Sequence, residues 1–569
     1  MSPSTVLRSL AFATAAALTA TPALPQADGL AGSYLAARAA SYDNDFQAAS
    51  DYYVRALVRD PANPVLMENA IVSLVAVGRV ERAVPIGRQM LSRDISSQAA
   101  ALVLAADRVK RDDFEGLLEE LDAGLTIGPL VDSLLRAWSQ VGSGRMTEAL
   151  AEFDRIAEQN GIAAFGAYHK ALALGSVGDF EGAVEVFDSG AAAQLQRSRR
   201  ALLVEVRMLS QLDRNDDAAA LINEAFGANP DPGVKAVLTQ ISAGETLEFD
   251  QITDAGDGAA EVFYTVATAL SGEANDGYTL GYVRIADYLK PGDSDMILLS
   301  AALLERLEQY ELATDIYDQV PRGAPEFYDA EIGRAESLRA LGREDAAVEV
   351  LKQLAESHGD IAVVHQTLGD MLRRTERYQE SSEAYDNAIA LLDEPGPRDW
   401  GVFFTRGITH ERMGEWPAAD TDFRTALELN PEQPQVLNYL GYSMVELNLD
   451  LDEALDLIER AVAARPDDGY ITDSLGWVLY RLGRYEEAVV HMERAVELSP
   501  VDPIINDHLG DVLWAVDRKL EARFQWSRAL SFDPEEKDAD RIRRKLEVGL
   551  DVVLEEEGSE PLAVANDEG

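Results

Sequence analysis

The sequence predicts an all-α solenoid of antiparallel helix pairs. Three observations carry that expectation: small residues return at intervals near 34, the C-terminal blocks close on proline, and the composition, 47% hydrophobic and 26% charged, is that of a folded chain. A conventional chain of 569 residues would hold roughly three or four globules, and an extended repeat array is the alternative that the period selects. Charge narrows the partners. The 50 Lys and Arg stand against 100 Asp and Glu, a formal net charge of -50. Such a chain repels phosphate backbones and anionic lipid, so no nucleic-acid partner is expected. There is no cysteine, which excludes disulfides, thiolate metal ligands and a cysteine nucleophile.

The first residues, "VLRSLAFATAAALTATPALPQADG", place Arg8 before an apolar stretch from Leu10 to Ala20, with small residues at Ala23 and Ala27 beyond a proline. That order resembles a secretory signal over residues 1–27, with cleavage expected after Ala23 or after Ala27; a frayed Ala-rich first helix is the competing reading. The apolar part is too short to span a bilayer, and no later run approaches the ~18 to 20 apolar residues of a membrane helix. No transmembrane segment is expected. Without cysteine, a direct lipid anchor has no attachment site.

The period is clearest near the C-terminus. Aligned on Gly476, Gly510 lies 34 residues later, Gly441 lies 35 earlier, Gly407 another 34 and Gly369 another 38. Twelve residues past these anchors stand Ser381, Ala419, Ala454 (offset by one), Ala488 and Ala522, then come Ala388, Ala426, Ala461, Ala495 and Ala529, and Pro431, Pro466, Pro500 and Pro534 close four units. The small residues are expected where a unit's two helices cross, because a large side chain there would hold them apart. Gly483, at the end of the first helix, is expected to take the left-handed conformation that reverses the chain. Leu475, Leu479, Tyr485 and Met492 fill the space between helices at helical spacing.

Towards the N-terminus the anchors continue at Ala335, Ala301 and Ala267. After a gap of 61 they resume at Val206, Ala171, Ala137, Ala105, Ile71 and Ala37, giving fourteen candidate units. Their partners twelve residues on are mostly alanine, with Leu117 and Thr279 as exceptions. The gap contains "QISAGETLEFDQITDAGDGAA", which reads as a loop between two sub-arrays. Past Asp540, "RIRRKLEVGL" reads as a capping helix and "EEEGSE" as disordered.

Leu475, Gly476, Gly483, Tyr485, Ala488, Ala495 and Pro500 match, position by position, the pattern of the tetratricopeptide repeat family, and the resemblance extends over nearly the whole chain after residue 27. It implies a right-handed superhelix whose inner groove is lined by the first helix, helix A, of each pair. The organisation expected is a signal at 1–27, an N-terminal array at 28–235, an irregular connection at 236–262, a C-terminal array at 263–536, a capping helix at 537–552 and a disordered acidic tail at 553–569. The same resemblance places groove residues at Gln366, Arg373, Arg374, Phe404, Arg412, Asn438, Tyr442, Tyr470, Asp473, Trp477, Tyr480, Arg481, Asp507, Asp511 and Trp514. Aromatics with Arg and Asn are typical of interface hot spots, and packing between neighbouring repeats is the alternative for Trp477, Tyr480 and Trp514. The lysine and asparagine clamp of some relatives is not matched, since Asp473 and Trp477 occupy two of its positions.

Chemistry outside the repeats is sparse. His169, His358, His365, His410, His491 and His508 are scattered, with no HExxH, no GxSxG and no phosphate-binding glycine loop. "DRNDDAAALINE" puts Asp213, Asn215, Asp217 and Glu224 at calcium-loop spacing, but Ala218 stands where that loop needs glycine, and the stretch reads as the turn into a second helix. No metal, no cofactor and no catalytic residue is expected. "TDSLGWVLYRLGRYEEA" and "INDHLGDVLW" resemble the C-terminal repeats of bacterial envelope proteins, among them adaptors of a carboxyl-terminal processing protease. That resemblance implies a periplasmic, non-catalytic scaffold associated with the outer membrane through its partners, binding a protein or peptide such as a serine protease and its substrates. An assembly or secretion factor for envelope polysaccharide or outer-membrane components is the alternative, and an enzyme with an unrecognised site within 240–295 is third.

Overall fold

The structure, a computed structural model, describes residues 29–192, 198–227, 230–392 and 394–558. The expected signal and the last part of the expected tail lie outside them. Among the described residues there are 31 helices and no strand. Fourteen antiparallel pairs correspond to the fourteen anchors, and Pro232–Ser242, Glu536–Val548 and Leu550–Glu556 stand singly. The chain divides into two compact units at Val350 and Leu351, inside the helix Glu344–Ser357.

Local signals set the helix ends. Asp45, Ser97, Asp113, Asp179 and Asp231 each accept a backbone N–H at a helix start. Pro64, Pro129, Pro434 and Pro503 open helices where no N–H is needed. Pro431, Pro466 and Pro500 stand two residues beyond the end of a second helix, helix B. Seven residues past the anchor the chain turns through a left-handed residue. Glycine supplies it at Gly483 (φ 75°), whereas Glu376 (φ 58°) and Glu308 (φ 60°) adopt it against the usual steric cost. The unit anchored on Ala267 departs from this turn, ending its first helix at Leu270 with Gly272 at φ 84°.

The anchors pack as the period requires. Ala37, Ile71, Ala137, Ala171, Ala301, Ala335 and their partners twelve residues on are fully buried, as are Ala419, Ala454, Ala488 and Ala522. The glycine anchors meet a further residue, which the alignment singled out only at Met492: the large side chain about sixteen positions on. A Cβ on Gly369 would lie 2.7 Å from Tyr385, on Gly407 2.6 Å from Phe423, on Gly476 2.7 Å from Met492 and on Gly510 2.3 Å from Trp526. Each glycine therefore makes a slot for a large side chain of helix B, while the residue twelve on touches the backbone, as in the bond from Ser381 Oγ to the Gly369 carbonyl (2.8 Å).

In the first unit six pairs follow one another, from Leu30–Tyr42 with Phe46–Arg59 to Arg199–Gln211 with Asn215–Phe226. The stretch 236–262, expected as an irregular connection between arrays, lies inside this unit. It begins in the helix Pro232–Ser242 and continues as extended chain tied to earlier helices. Leu247 N–H donates to Ser210 Oγ (2.9 Å), and Phe249 meets Phe180 edge-on at 5.6 Å. The pair Ala255–Leu270 with Asp276–Leu289 then folds back onto the helix A row of the first pairs, packing on Pro64–Ala76, Gln98–Lys110, Pro129–Gly142 and Ala163–Ser176. Gly258 permits the approach, since a Cβ there would lie 2.2 Å from the fully buried Trp138. Trp138 Nε1 donates to His169 Nδ1 (3.1 Å), His169 Nε2 lies 3.2 Å from Thr265 Oγ1, and Tyr168 donates to Glu261 (2.9 Å). Buried Arg200 ties Glu261 (2.8 Å) to Asp293 (2.8 Å) and Asp295 (2.6 Å). Burial pushes the His169 pKa down to about 3, so this imidazole is neutral.

The second unit stacks five pairs, from Ala362–Arg374 with Tyr378–Ala390 to Pro503–Ala515 with Lys519–Leu530, and closes on Glu536–Val548 and Leu550–Glu556. Residues 553–556, expected as the start of a disordered tail, are the last turns of that closing helix, with Val553 buried.

Two outcomes follow. Gly510→Ala should destabilise the second unit by about 1–3 kcal/mol, because Trp526 is fully buried and its Nε1 is held by Asp511 (2.9 Å). Gly476→Ala should cost under about 1 kcal/mol, since the flexible Met492 can shift; chemical denaturation of the two variants checks the order. The folded His169 titrates below the unfolded value, so the unfolded chain takes the proton first, and this contribution is present above about pH 6.5 and lost as pH falls towards 3. By pH 5 the loss is on the order of 2 kcal/mol, to be read as faster hydrogen exchange over Ala163–Ser176 and reduced in His169→Gln.

Candidate functional site

The A helices of the second unit carry all fifteen groove residues named from the sequence, and the structure sorts them into three groups. The first belongs to the packing. Phe404 is half-buried among Trp400 (5.9 Å), Phe423 (6.0 Å) and Tyr439 (5.7 Å). Tyr442 is largely buried, and that burial raises its hydroxyl pKa, with Glu446 and Asp473 adding to it. Gln366 and Asn438 are half-buried, and Asn438 Oδ1 has no hydrogen-bond partner among the described residues.

The second group is a polar and aromatic stack at the C-terminal end. Trp477 lies flat between Tyr480 (4.9 Å, 15°) and His508 (4.1 Å, 13°), and its Nε1 donates to Glu446 (2.8 Å). Asp473 faces His508 Nδ1 at 3.0 Å. Burial opposes a charge on this imidazole, but Asp473, with Asp507 and Asp511 beyond it, outweighs that cost and holds the pKa above its ordinary value. Next to the stack, Asp507 and Asp511 receive the fully buried Lys545 at 2.8 and 2.6 Å. Arg541 approaches Asp511 at 3.4 Å. Burial and neighbouring Asp511 push the Asp507 carboxyl up. Trp514 leans on Trp526 (5.2 Å) and donates to Asp551 (2.9 Å). The capping helices therefore cover Asp507, Asp511 and Trp514. Sequence reasoning missed Lys545 and Glu446. Two carboxylates one turn apart on an inward face were the available signal that a cation must reach them.

The third group is accessible. Arg374, Arg412 and Arg481 occupy the last turn of Ala362–Arg374, Trp400–Arg412 and Gly469–Arg481, at one repeat position. Arg374 and Arg412 are exposed; Arg412 Nε stands 3.6 Å from Glu411, and Arg481 reaches Asn448 Oδ1 at 3.3 Å. Arg373 donates to the Tyr385 hydroxyl (3.4 Å), and Tyr470 is 62% exposed. The other two first helices of the unit, Pro434–Glu446 and Pro503–Ala515, carry Glu446 and Ala515 at that position.

The calcium-like stretch forms no loop: the helix begins at Asn215, and Asp217 pairs with Arg214 at 2.6 Å. Among the described residues no group of three or more His, Cys, Asp or Glu could hold a metal, and no helix is long and apolar enough to cross a membrane.

The tetratricopeptide repeat model matches residues 404–469, 447–503 and 474–536. A TPR repeat-containing protein of Pseudomonas aeruginosa is 27% identical over 187 residues, 33% of this chain and 31% of the relative. A lipoprotein NlpI homolog of Haemophilus influenzae is 33% identical over 87 residues, 15% of this chain and 27% of the relative. The matches thus span under a third of each of these relatives. The solved Cut9–Hcn1 hetero-tetramer of the APC/C covers 91% of this chain and 96% of its own at 16% identity and a TM-score of 0.37. The anchors, turns and helix pairs at 404–536 coincide with the matched family pattern: the repeats of this stretch are tetratricopeptide repeats.

Proposed function

We propose that this chain is a non-catalytic adaptor of the bacterial cell envelope. It grips a protein or peptide partner along the inner face of its second unit and brings substrates to a carboxyl-terminal processing protease. Tetratricopeptide repeats in general mediate contacts between proteins. The observation that carries the reading is the set of Arg374, Arg412 and Arg481 at one repeat position, the last on the same helix as the Trp477 stack. Guanidinium groups grip carboxylates through paired hydrogen bonds, and arginine beside tryptophan is the composition of interface hot spots. In a chain of net charge -50 such a set acts at short range: it selects a carboxylate already delivered to the face and does not draw it in from a distance.

The envelope assignment is supported by the residue order of 1–27 and by the match to a protein named as a lipoprotein. With no cysteine to carry lipid, this chain would reach the outer membrane through its partners. Assembly or secretion of envelope polysaccharide or outer-membrane components is the second reading, on which the same face would hold an export component.

Capture with the full chain from envelope extract should recover a serine protease together with its substrates. Recovery of export machinery in its place moves the assignment to the second reading, and turnover by the purified chain alone refutes both. Arg412→Ala with Arg481→Ala should weaken the captured interaction about tenfold or more while leaving helical content and melting unchanged. A large loss of stability would mean that these arginines serve the packing.

A further inference from the structure

The hairpin that folds back in the first unit leaves a cleft beside it. Where Asp276–Leu289 meets the first three pairs, a cavity of about 330 Å³ opens on the inner face. Ile71, Val72, Val75 and Leu102 give it an apolar floor, and Phe46, Tyr278 and Tyr282 give it aromatic walls. Glu68 is the one charged side chain in the lining.

Two details show a built site. Gln98 Nε2 lies 2.9 Å from the Tyr278 hydroxyl and 3.2 Å from that of Tyr282, and the two hydroxyls lie 3.0 Å apart, so both rings are fixed. Gly281 is the second. A glycine inside a helix costs about 1 kcal/mol relative to alanine and is normally kept for close packing. Gly258 in the first helix of the hairpin has that reason, with Trp138 against it. Gly281 in the second has none: a Cβ there would meet nothing within 4 Å. Its missing side chain keeps the cleft open.

We propose that this cleft binds a lysine or arginine side chain of a partner polypeptide. The methylene stem lies on Val72, Val75 and Leu102, and the cationic head is taken up by Glu68 and the faces of the aromatic walls. Glu68 accepts a hydrogen bond from Ser97 Oγ, which aims its carboxylate without neutralising it. An uncharged aliphatic side chain would desolvate that carboxylate without compensation, and an anionic one would be repelled by it and by a chain of net charge -50. This surface lies in the other unit from those arginines, and the inference does not depend on the function proposed for them.

The test uses the full chain and fluorescein-labelled, end-capped heptapeptides of alanine and glycine with a central lysine, arginine, norleucine or glutamate, read by anisotropy. Lysine and arginine peptides should bind at least about fivefold more tightly than the norleucine peptide, with no binding of the glutamate peptide. Glu68→Gln should abolish the preference for the cation. Gly281→Phe places a ring in open space and replaces a poor helix residue, so it should reduce lysine-peptide binding at least about tenfold with the melting temperature unchanged or raised. Equal binding of norleucine and lysine peptides, undiminished binding by Gly281→Phe, or no saturable binding of the cationic peptides up to millimolar concentration would each overturn the proposal.

Discussion

Everything in this fold depends on how closely two helices of a pair can approach. At each anchor the side chain must be small enough for the crossing, and where it is glycine a large side chain of the opposite helix enters the slot. Tyr385, Phe423, Met492 and Trp526 are different residues serving one geometric purpose, each buried because its glycine has no Cβ. The constraint is local to a pair, so a 34-residue period is its natural expression in sequence. It also fixes the face that helix A presents inward, and hence where binding groups can stand.

That locality explains what was legible. The anchors, the reversing turn at Gly483 and the fourteen pairs could be read because each is determined within one unit. The residue sixteen past the anchor was named only at Met492 and not as a repeat position, because it varies in identity. The fold-back of 255–289 escaped for a different reason: the gap of 61 announced a break in the stack, but where the chain went next depends on contacts such as Gly258 with Trp138, separated by over a hundred positions. The same holds for Lys545 and its two aspartates, which meet only after the last pair is capped. Of the candidate site, the repeat positions were readable, whereas the division into packed, covered and accessible side chains required the third dimension.

Polar side chains on the inward faces are handled in two ways. Where the chain covers them itself, opposite charges meet at short distance, as with Arg200 among Glu261, Asp293 and Asp295, or Lys545 between Asp507 and Asp511. Leaving any one of these unpaired would strand a buried charge, so the clusters hold the covering helices in one register. Where the chain leaves them accessible, Arg412 stands 3.6 Å from Glu411, Arg481 reaches Asn448, and Glu68 of the first unit accepts from Ser97. Arg412 and Arg481 thus suit an anionic group, whereas Glu68 suits a cationic one.

The fold-back hairpin also changes how the first unit must assemble. An ordinary stack can grow pair by pair, each new hairpin finding its whole interface on the one before. Here six pairs precede, in chain order, the segment that packs on the first helices of four of them, so Trp138, Tyr168 and His169 lack their final neighbours until Ala255–Leu289 has been synthesised. Closure then joins positions 93 and 96 residues apart. Contacts so distant in sequence form slowly, and a nascent chain halted before them would leave apolar surface open to aggregation.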